Sequence, residues 1–536
     1  MRIIQERNVI KKNWQDVDLK IALCYPNKYH VGMSSLAIHV IQHLLNSRSD
    51  VVCERVFLPY TKAAPASLES GQPLKNFDII GFSMQFETDY PYLIKMLLNS
   101  QIPPYAKDRI DKDFPLVIGG GPCISGNPEP IADFFDLFVV GDVEPVLDTI
   151  IDRFMDFKPP RKYLDEFLDI DGVYIPSLHQ DTIKSNWVRK LDNVPHPLQQ
   201  IVPLVETKDK VSPAFGKTFL VEVSRGCGHG CRFCLIGCTN RPYRERSLPV
   251  LKEIVDRGTK LTGVEKVSLI GAAISDYKNL EDLCWYIVNS GLTISISSLR
   301  ADCVTPSLIE AIIKSGQKTL AIAPETGTNV LRSCINKGLT NDDILKAAEI
   351  SAELGIHHLK LYYVVGLPME ERSDLEGIVS LTQKIADLKF MKVALSINPF
   401  VPKAHTPFQW DSQPPLKVLR EKKKFLELFL RKLAPKIETN FLDFRWGKIQ
   451  NLLSTGGREL SDVILTVAER PISLGSWRYA LSHSHIDLED YINRFSLYQE
   501  MPWDHILHNI RREFLIKERK LAENRRHMFL QNVSCN

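Results

Sequence analysis

Twice along this chain, short apolar runs that end in glycine, proline or a small polar residue alternate with stretches of helical periodicity. Such endings suit strands whose carboxyl-end loops receive a ligand. Over residues 20–150 the runs are KIALCYP, FDIIGFSM, PLVIGGG and LFVVGD, with the helical SSLAIHVIQHLL after the first. They predict an α/β fold, a Rossmann-like doubly wound parallel sheet. The rhythm resumes in TFLVEVS, KVSLIGA, TISISSL, KTLAIAP, HLKLYYVVG and VALSINPF, with helices such as TNDDILKAAEISAELG between them. These predict a partial (β/α)6 barrel, two units short of a closed one, with an open side for a large substrate or a neighbouring domain.

Between the two regions proline becomes frequent and segments such as DGVYIPS alternate, which predicts a β-rich connector. From about residue 411 the strands are expected to stop and PLKVLREKKKFLELFLRKLAPKI opens a helical region. The expected organisation is 1–155, a Rossmann-like domain; 156–215, the connector; 216–410, the barrel; and 411–536, a C-terminal helical domain. A chain of 536 residues exceeds what one core serves.

The net charge of +3 sets up no global field for nucleic acid or membrane. No apolar run reaches the roughly 18 residues of a membrane span. The opening MRIIQERNVIKKNW lacks the apolar core and cleavage site of a signal peptide. The expected compartment is therefore the reducing cytoplasm, where eleven cysteines are not a disulfide framework.

Three of those cysteines, Cys227, Cys231 and Cys234, stand on one loop directly after the strand TFLVEV. Three thiolates there suit three corners of a cubane cluster and leave one iron open. Gly226, Gly228 and Gly230 let the backbone curl around such a group. A structural zinc loop is the alternative, with Cys238 or His229 as fourth ligand. No catalytic side chain is singled out.

This stretch matches the CxxxCxxC signature of the radical S-adenosylmethionine (SAM) superfamily, including the aromatic Phe233 before the last cysteine. The resemblance implies a [4Fe–4S] cluster on the three cysteines and SAM at the open iron. It places Phe233 near adenine and Gly271, in LIGAA, at the SAM amino group, although the usual acidic residue there is absent. It places Ser298 and Arg300, in SSLRA, at the ribose or carboxylate. Glu325, in APETGT, falls at ribose hydroxyls or the methionyl amine, and Gly366, in VVGLPMEE, against adenine. Each of these has a plain alternative as turn chemistry or a structural ion pair.

The N-terminal region resembles the cobalamin-binding domain that precedes many radical SAM barrels. Ser83 in GFSMQ, Gly119, Gly120 and Gly121 in IGGGP, and Gly141 and Glu144 in GDVE carry the likeness. It implies Ser83 near the cobalamin nucleotide tail and the glycine turn beneath it. The Asp-x-His-x-x-Gly of cobalt-ligating domains is missing, and His30 in YPNKYHVGMSS has the wrong spacing, so a loop histidine without metal is expected. A Rossmann-like domain that has lost its cofactor is the alternative. The subgroup approached is marked by SINPFVPKAHTPFQW and MPWDHI. Related archaeal enzymes methylate carbon in a glutamine of methyl-coenzyme M reductase.

The resemblance therefore implies a cobalamin-dependent C-methyltransferase acting on an unactivated carbon of a protein or peptide. A reducing donor such as a flavodoxin or ferredoxin would supply the electron. A radical rearrangement, cyclisation or sulfur-insertion enzyme without methyl transfer is the second class, and a non-catalytic cobalamin or redox sensor the third. The basic tail IRREFLIKERKLAENRRHMF reads as a solvated amphipathic helix and leaves nucleic acid or an acidic protein open as a partner.

Overall fold

A computed structural model of the chain describes residues 4–61, 63–178, 180–205, 209–433, 435–493 and 495–534. The first sheet has strands β1 (Leu19–Tyr25), β2 (Val51–Phe57), β3 (Ile79–Ser83), β4 (Leu116–Gly120), β5 (Leu137–Val139) and β6 (Val173–Tyr174). Its order is β2-β1-β3-β4-β5-β6, parallel except for the last pair. The order reverses between β1 and β3, and carboxyl ends at such a switch point are where doubly wound sheets bind ligands. β2 is absent from the sequence reading because Glu54 and Arg55 interrupt its apolar run. Both are buried, Arg55 in ion pairs with Glu6 at 2.7 Å and Glu69 at 2.6 Å.

The second region has strands β7 (Phe219–Glu222), β8 (Lys266–Ile270), β9 (Thr293–Ile296), β10 (Thr319–Glu325), β11 (His358–Val365) and β12 (Lys392–Pro399). They run parallel in two sheets, joined between β9 and β10 by a single bridge from Leu299 to Ile322. The helices pack on the outside around one aliphatic core. The barrel does not stop at residue 410. Leu416–Leu430 is a crossover helix, and β13 (Ile437–Phe441) adds parallel to β12. The segment IETNF alternates half-buried and exposed residues, as an edge strand with one neighbour does, so its apolar signal is weak.

The connector is not a β unit of its own. Val173–Tyr174 completes the first sheet, Ile183–Lys184 pairs with Ile506–Leu507, and Val202–Pro203 pairs with Glu6–Arg7. The rest of the C-terminal region is mainly helical but shares its cores with the other regions. Ile449, Leu453, Ile464 and Trp477 pack with Val117, Phe135 and Phe138 on one face of the first sheet. Leu36–Ser47 and Leu147–Asp156 cover the opposite face. The last helix, Arg512–Ser534, lies against the loops at the carboxyl ends of β10 to β12. Arg519 pairs with Asp411 at 2.6 Å, and Arg526 pairs with Glu371 at 2.7 Å and Asp374 at 3.2 Å. Among the described residues no helix is long and apolar enough to cross a membrane.

Candidate functional site

The carboxyl ends of the first sheet face the mouth of the barrel across a cavity of about 680 Å³. One wall is an aliphatic slot between the sheet and its covering helices, with Ile21, Val40, Ile79, Ile118 and Leu147. The opposite wall is the ends of β7 and β8 and the residues flanking the cysteine loop: Glu222, Ser224, Gly226, Ile236 and Gly271. Both sheets therefore present to one space the strand ends from which α/β proteins build binding sites.

On the sheet side the glycines divide by direction, because successive strand residues point to opposite faces. A Cβ on Gly120 would find nothing nearer than the Val139 carbonyl at 3.6 Å, so this glycine opens onto the cavity. A Cβ on Gly119 would meet Phe138 at 2.7 Å and Phe135 at 2.8 Å. Its side is turned to the other core, and only its backbone reaches the cavity. Gly121 has φ +113° and passes close to the Met84 carbonyl, so the turn itself requires it. Gly141, at φ +97°, passes close to Asn186 of the connector, which leaves no room for a Cβ. Ser83 lines the cavity and accepts from the Gln85 amide at 3.3 Å. Glu144 also lines it but is held by the Arg225 guanidinium at 2.7 Å. His30 lies outside it, its Nδ1 2.9 Å from the Tyr60 hydroxyl.

On the barrel side the cysteine loop departs from β7 with Gly226 at φ +83°, where any Cβ would strike the Asn240 carbonyl, and turns again at Gly230, φ +67°. Arg232, fully buried inside the motif, donates to the Ser333 and Cys334 carbonyls and pairs with Glu518 of the last helix at 2.7 Å. Cys227, Cys231 and Cys234 are free, partly buried thiols near enough to feel one another's charge. Burial pushes the Cys231 thiol up to about 12 and raises Cys234 as well. A metal taking the proton's place would turn these thiols into thiolate ligands.

Among the described residues no three His, Cys, Asp or Glu side chains converge as ligands of one metal ion do. Three thiolates on one loop suit a cubane cluster with one iron left open, whereas a structural zinc ion calls for a fourth ligand. Of the two candidate fourth ligands, His229 has its Nε2 2.8 Å from Asp276, and Cys238 is buried on the helix Leu235–Thr239 close to the three loop thiols.

Around this loop, Gly271 meets Ser224, whose Oγ would lie 2.6 Å from a Cβ. Ser298 is exposed, and its neighbour Ser297 lines the cavity instead. Arg300 pairs with Asp302 at 2.9 Å and donates to the Lys337 carbonyl at 3.1 Å. Glu325 ends β10 in the left-handed region, φ +64°, a conformation that costs a non-glycine residue energy and gathers at functional sites. Its carboxylate takes the Lys337 ammonium at 2.8 Å. Burial works against that ammonium, but Glu325 and Cys231 beside it outweigh the cost and raise its pKa. Phe233 packs with Leu331, Ile335, Leu367 and Phe408. Gly366, φ +80°, fits under Leu419 and Pro414 and donates its N–H to Glu370. Asn336 and Lys337 escape the sequence reading. Their signal is the turn chemistry of INKG just after the helix Asn329–Cys334.

Two family models match the chain: radical SAM proteins, N-terminal, over residues 37–176, and the radical SAM superfamily over residues 221–382. An uncharacterized protein of Methanocaldococcus jannaschii is 35% identical over 480 residues, covering 89% of this chain and 96% of its own length. The chain belongs to the radical SAM superfamily. Its radical SAM chemistry uses a [4Fe–4S] cluster and SAM. A second similar protein, an uncharacterized methyltransferase of Pyrococcus horikoshii, is 23% identical over 280 residues, 50% of this chain and 58% of its own. The solved radical SAM enzyme OxsB, described as cobalamin-dependent and holding aqua-cobalamin and SAM, superposes with a TM-score of 0.50 at 14% identity. It covers 96% of this chain and 80% of its own. That likeness shows a shared fold.

Proposed function

We propose that this radical SAM enzyme is a cobalamin-dependent C-methyltransferase that acts on an unactivated carbon of a polypeptide segment. The observation that carries the reading is the one cavity shared by the switch point of the first sheet and the mouth of the barrel. Methyl transfer to carbon needs a methyl carrier and a radical generator to face one substrate, and two separate sites would not serve. When bound, the cluster supplies the electron that cleaves SAM, and cobalamin supplies the methyl carrier.

The chain's own residues fit those groups. The aliphatic slot and the open side of Gly120 suit the nucleotide tail of a corrin, with Ser83 at its edge. Cys227, Cys231 and Cys234 suit the cluster. Glu325 and Lys337 present one negative and one positive group beside it, matching the amino and carboxylate ends of methionine. The paired charges of Arg225, Glu144 and Glu222 line the shared cavity without leaving an unpaired charge facing an apolar ligand. The similarity to a protein described as a methyltransferase and to the fold of a cobalamin-dependent enzyme supports the same reading.

The test is turnover with a panel of peptides and SAM carrying a deuterated methyl group, read by mass spectrometry. The expected product is heavier by one labelled methyl, and the hydrogen taken from the substrate carbon appears in 5′-deoxyadenosine. A rearranged, unmethylated product would replace this reading by the radical rearrangement class.

A further inference from the structure

The cysteine loop is held from outside by one short segment, residues 335–338, that follows the helix Asn329–Cys334. The Ile335 carbonyl accepts the Arg232 N–H at 2.9 Å. Asn336 donates its amide to two consecutive loop carbonyls, those of His229 and Gly230, each at 3.1 Å. Lys337 reaches Glu325, and Arg300 holds the Lys337 carbonyl. Asn336 itself sits at φ +54°, a left-handed conformation that asparagine tolerates better than most residues.

In a trans peptide the carbonyl and the following N–H point in opposite directions. Asn336 fixes the peptide planes 229–230 and 230–231 by their oxygens, so the N–H groups of Gly230 and Cys231 face away from it, inward to the loop. Among the described residues no acceptor takes either N–H. Hydrogen bonds from backbone N–H groups to cluster sulfurs help set the reduction potential, and residues beyond the ligands commonly orient them. The geometry points to Asn336 as a positioning residue that aims the Gly230 and Cys231 N–H groups at the cluster sulfurs and so tunes the cluster's reduction potential. This rests on the cluster assignment to Cys227, Cys231 and Cys234.

Two variants test it. N336G keeps the left-handed backbone and removes the amide, and N336D keeps the shape but turns an acceptor toward two carbonyls. The control is N8G, since Asn8 is also left-handed, φ +64°, and clamps two carbonyls, those of Gln200 and Leu261, outside the cysteine loop. Each protein is reconstituted anaerobically, its iron is counted, and its cluster is titrated potentiometrically with electron paramagnetic resonance as the readout. Both Asn336 variants are expected to hold as much iron as the parent protein. Their midpoint potential should be shifted negative, because lost N–H···S bonds no longer stabilise the reduced cluster, while N8G stays at the parent value. Asn336 variants with the parent potential, or variants that lose the cluster altogether, overturn the tuning role. A parent protein that takes up no iron overturns the cluster assignment instead.

Discussion

Arg225 donates to Glu144 across the boundary between the N-terminal sheet and the barrel, Nη2 to Oε1 at 2.7 Å. The same guanidinium reaches Asp142 at 3.1 Å and Glu222 at 2.9 Å, and Asp142 is shared with Arg244 at 2.7 Å. Arg225 stands two residues before Cys227, so this network ties the N-terminal sheet to the root of the cysteine loop. The two ends of the pair are not equivalent. E144Q leaves Arg225 with two carboxylates and is expected to cost about 1–2 kcal/mol. R225M leaves Glu144 without its cation and is expected to cost about 3–5 kcal/mol. Urea unfolding of both variants checks the ranking, and equal losses would contradict the network.

Gly119 and Gly120 are adjacent but point to opposite faces of the first sheet, and substitutions should separate them. G120L projects into the cavity and is expected to abolish corrin binding with a small change in stability. G119A presses a Cβ onto Phe138 and Phe135 and is expected to destabilise by about 1–3 kcal/mol. It should retain corrin. Equilibrium dialysis with aquacobalamin, paired with thermal unfolding, reads both effects.

Asp89 is buried beside Glu87, takes a hydrogen bond from Asn27, and burial pushes its carboxyl up to about 7 from 3.8. Between those values the unfolded chain is ionised while the folded chain keeps the proton. The folded state therefore binds more protons, and its stability falls as pH rises through this window. The stabilising contribution is complete below about 3.8 and lost above about 7. D89N removes the titration. The stability difference between wild type and D89N should shift against the wild type from pH 4 to pH 7, and a flat difference would refute the assignment.

The cysteines divide into ligands and packing. C227A, C231A and C234A should each abolish reductive SAM cleavage. C284A should leave it intact, because Cys284 is buried in the barrel core on the helix Leu280–Asn289. C238A should also leave it intact. Release of 5′-deoxyadenosine under a chemical reductant is the readout, and loss in C238A would bring that thiol into the site.

The α/β rhythm and the cysteine spacing are legible in the sequence because each is local: strand periodicity for the one, loop spacing for the other. β2 is hidden because Arg55 and its two carboxylate partners, distant in sequence, become compatible with burial only together. β13 is hidden because an edge strand needs little apolar surface. The basic tail reads as a solvated or nucleic-acid-binding helix, yet Arg519 and Arg526 turn inward to Asp411 and Asp374, partners far away in the chain. In the site, IGGGP reads as one glycine turn, whereas three different constraints act on its three glycines. Asn336 and Lys337 matter through contacts made only after the helix Asn329–Cys334 folds back on the cysteine loop.

The coproduct balance of SAM tests directly whether one chain uses cobalamin and the cluster together. Reconstituted protein is incubated with SAM and reductant, with and without cobalamin, alongside C231A. The two cofactors use SAM differently, one losing the methyl group and the other the adenosyl group. S-adenosylhomocysteine is expected only when cobalamin is present, and 5′-deoxyadenosine only when Cys231 is intact. A protein that makes 5′-deoxyadenosine, binds no cobalamin and yields no S-adenosylhomocysteine would contradict that joint use.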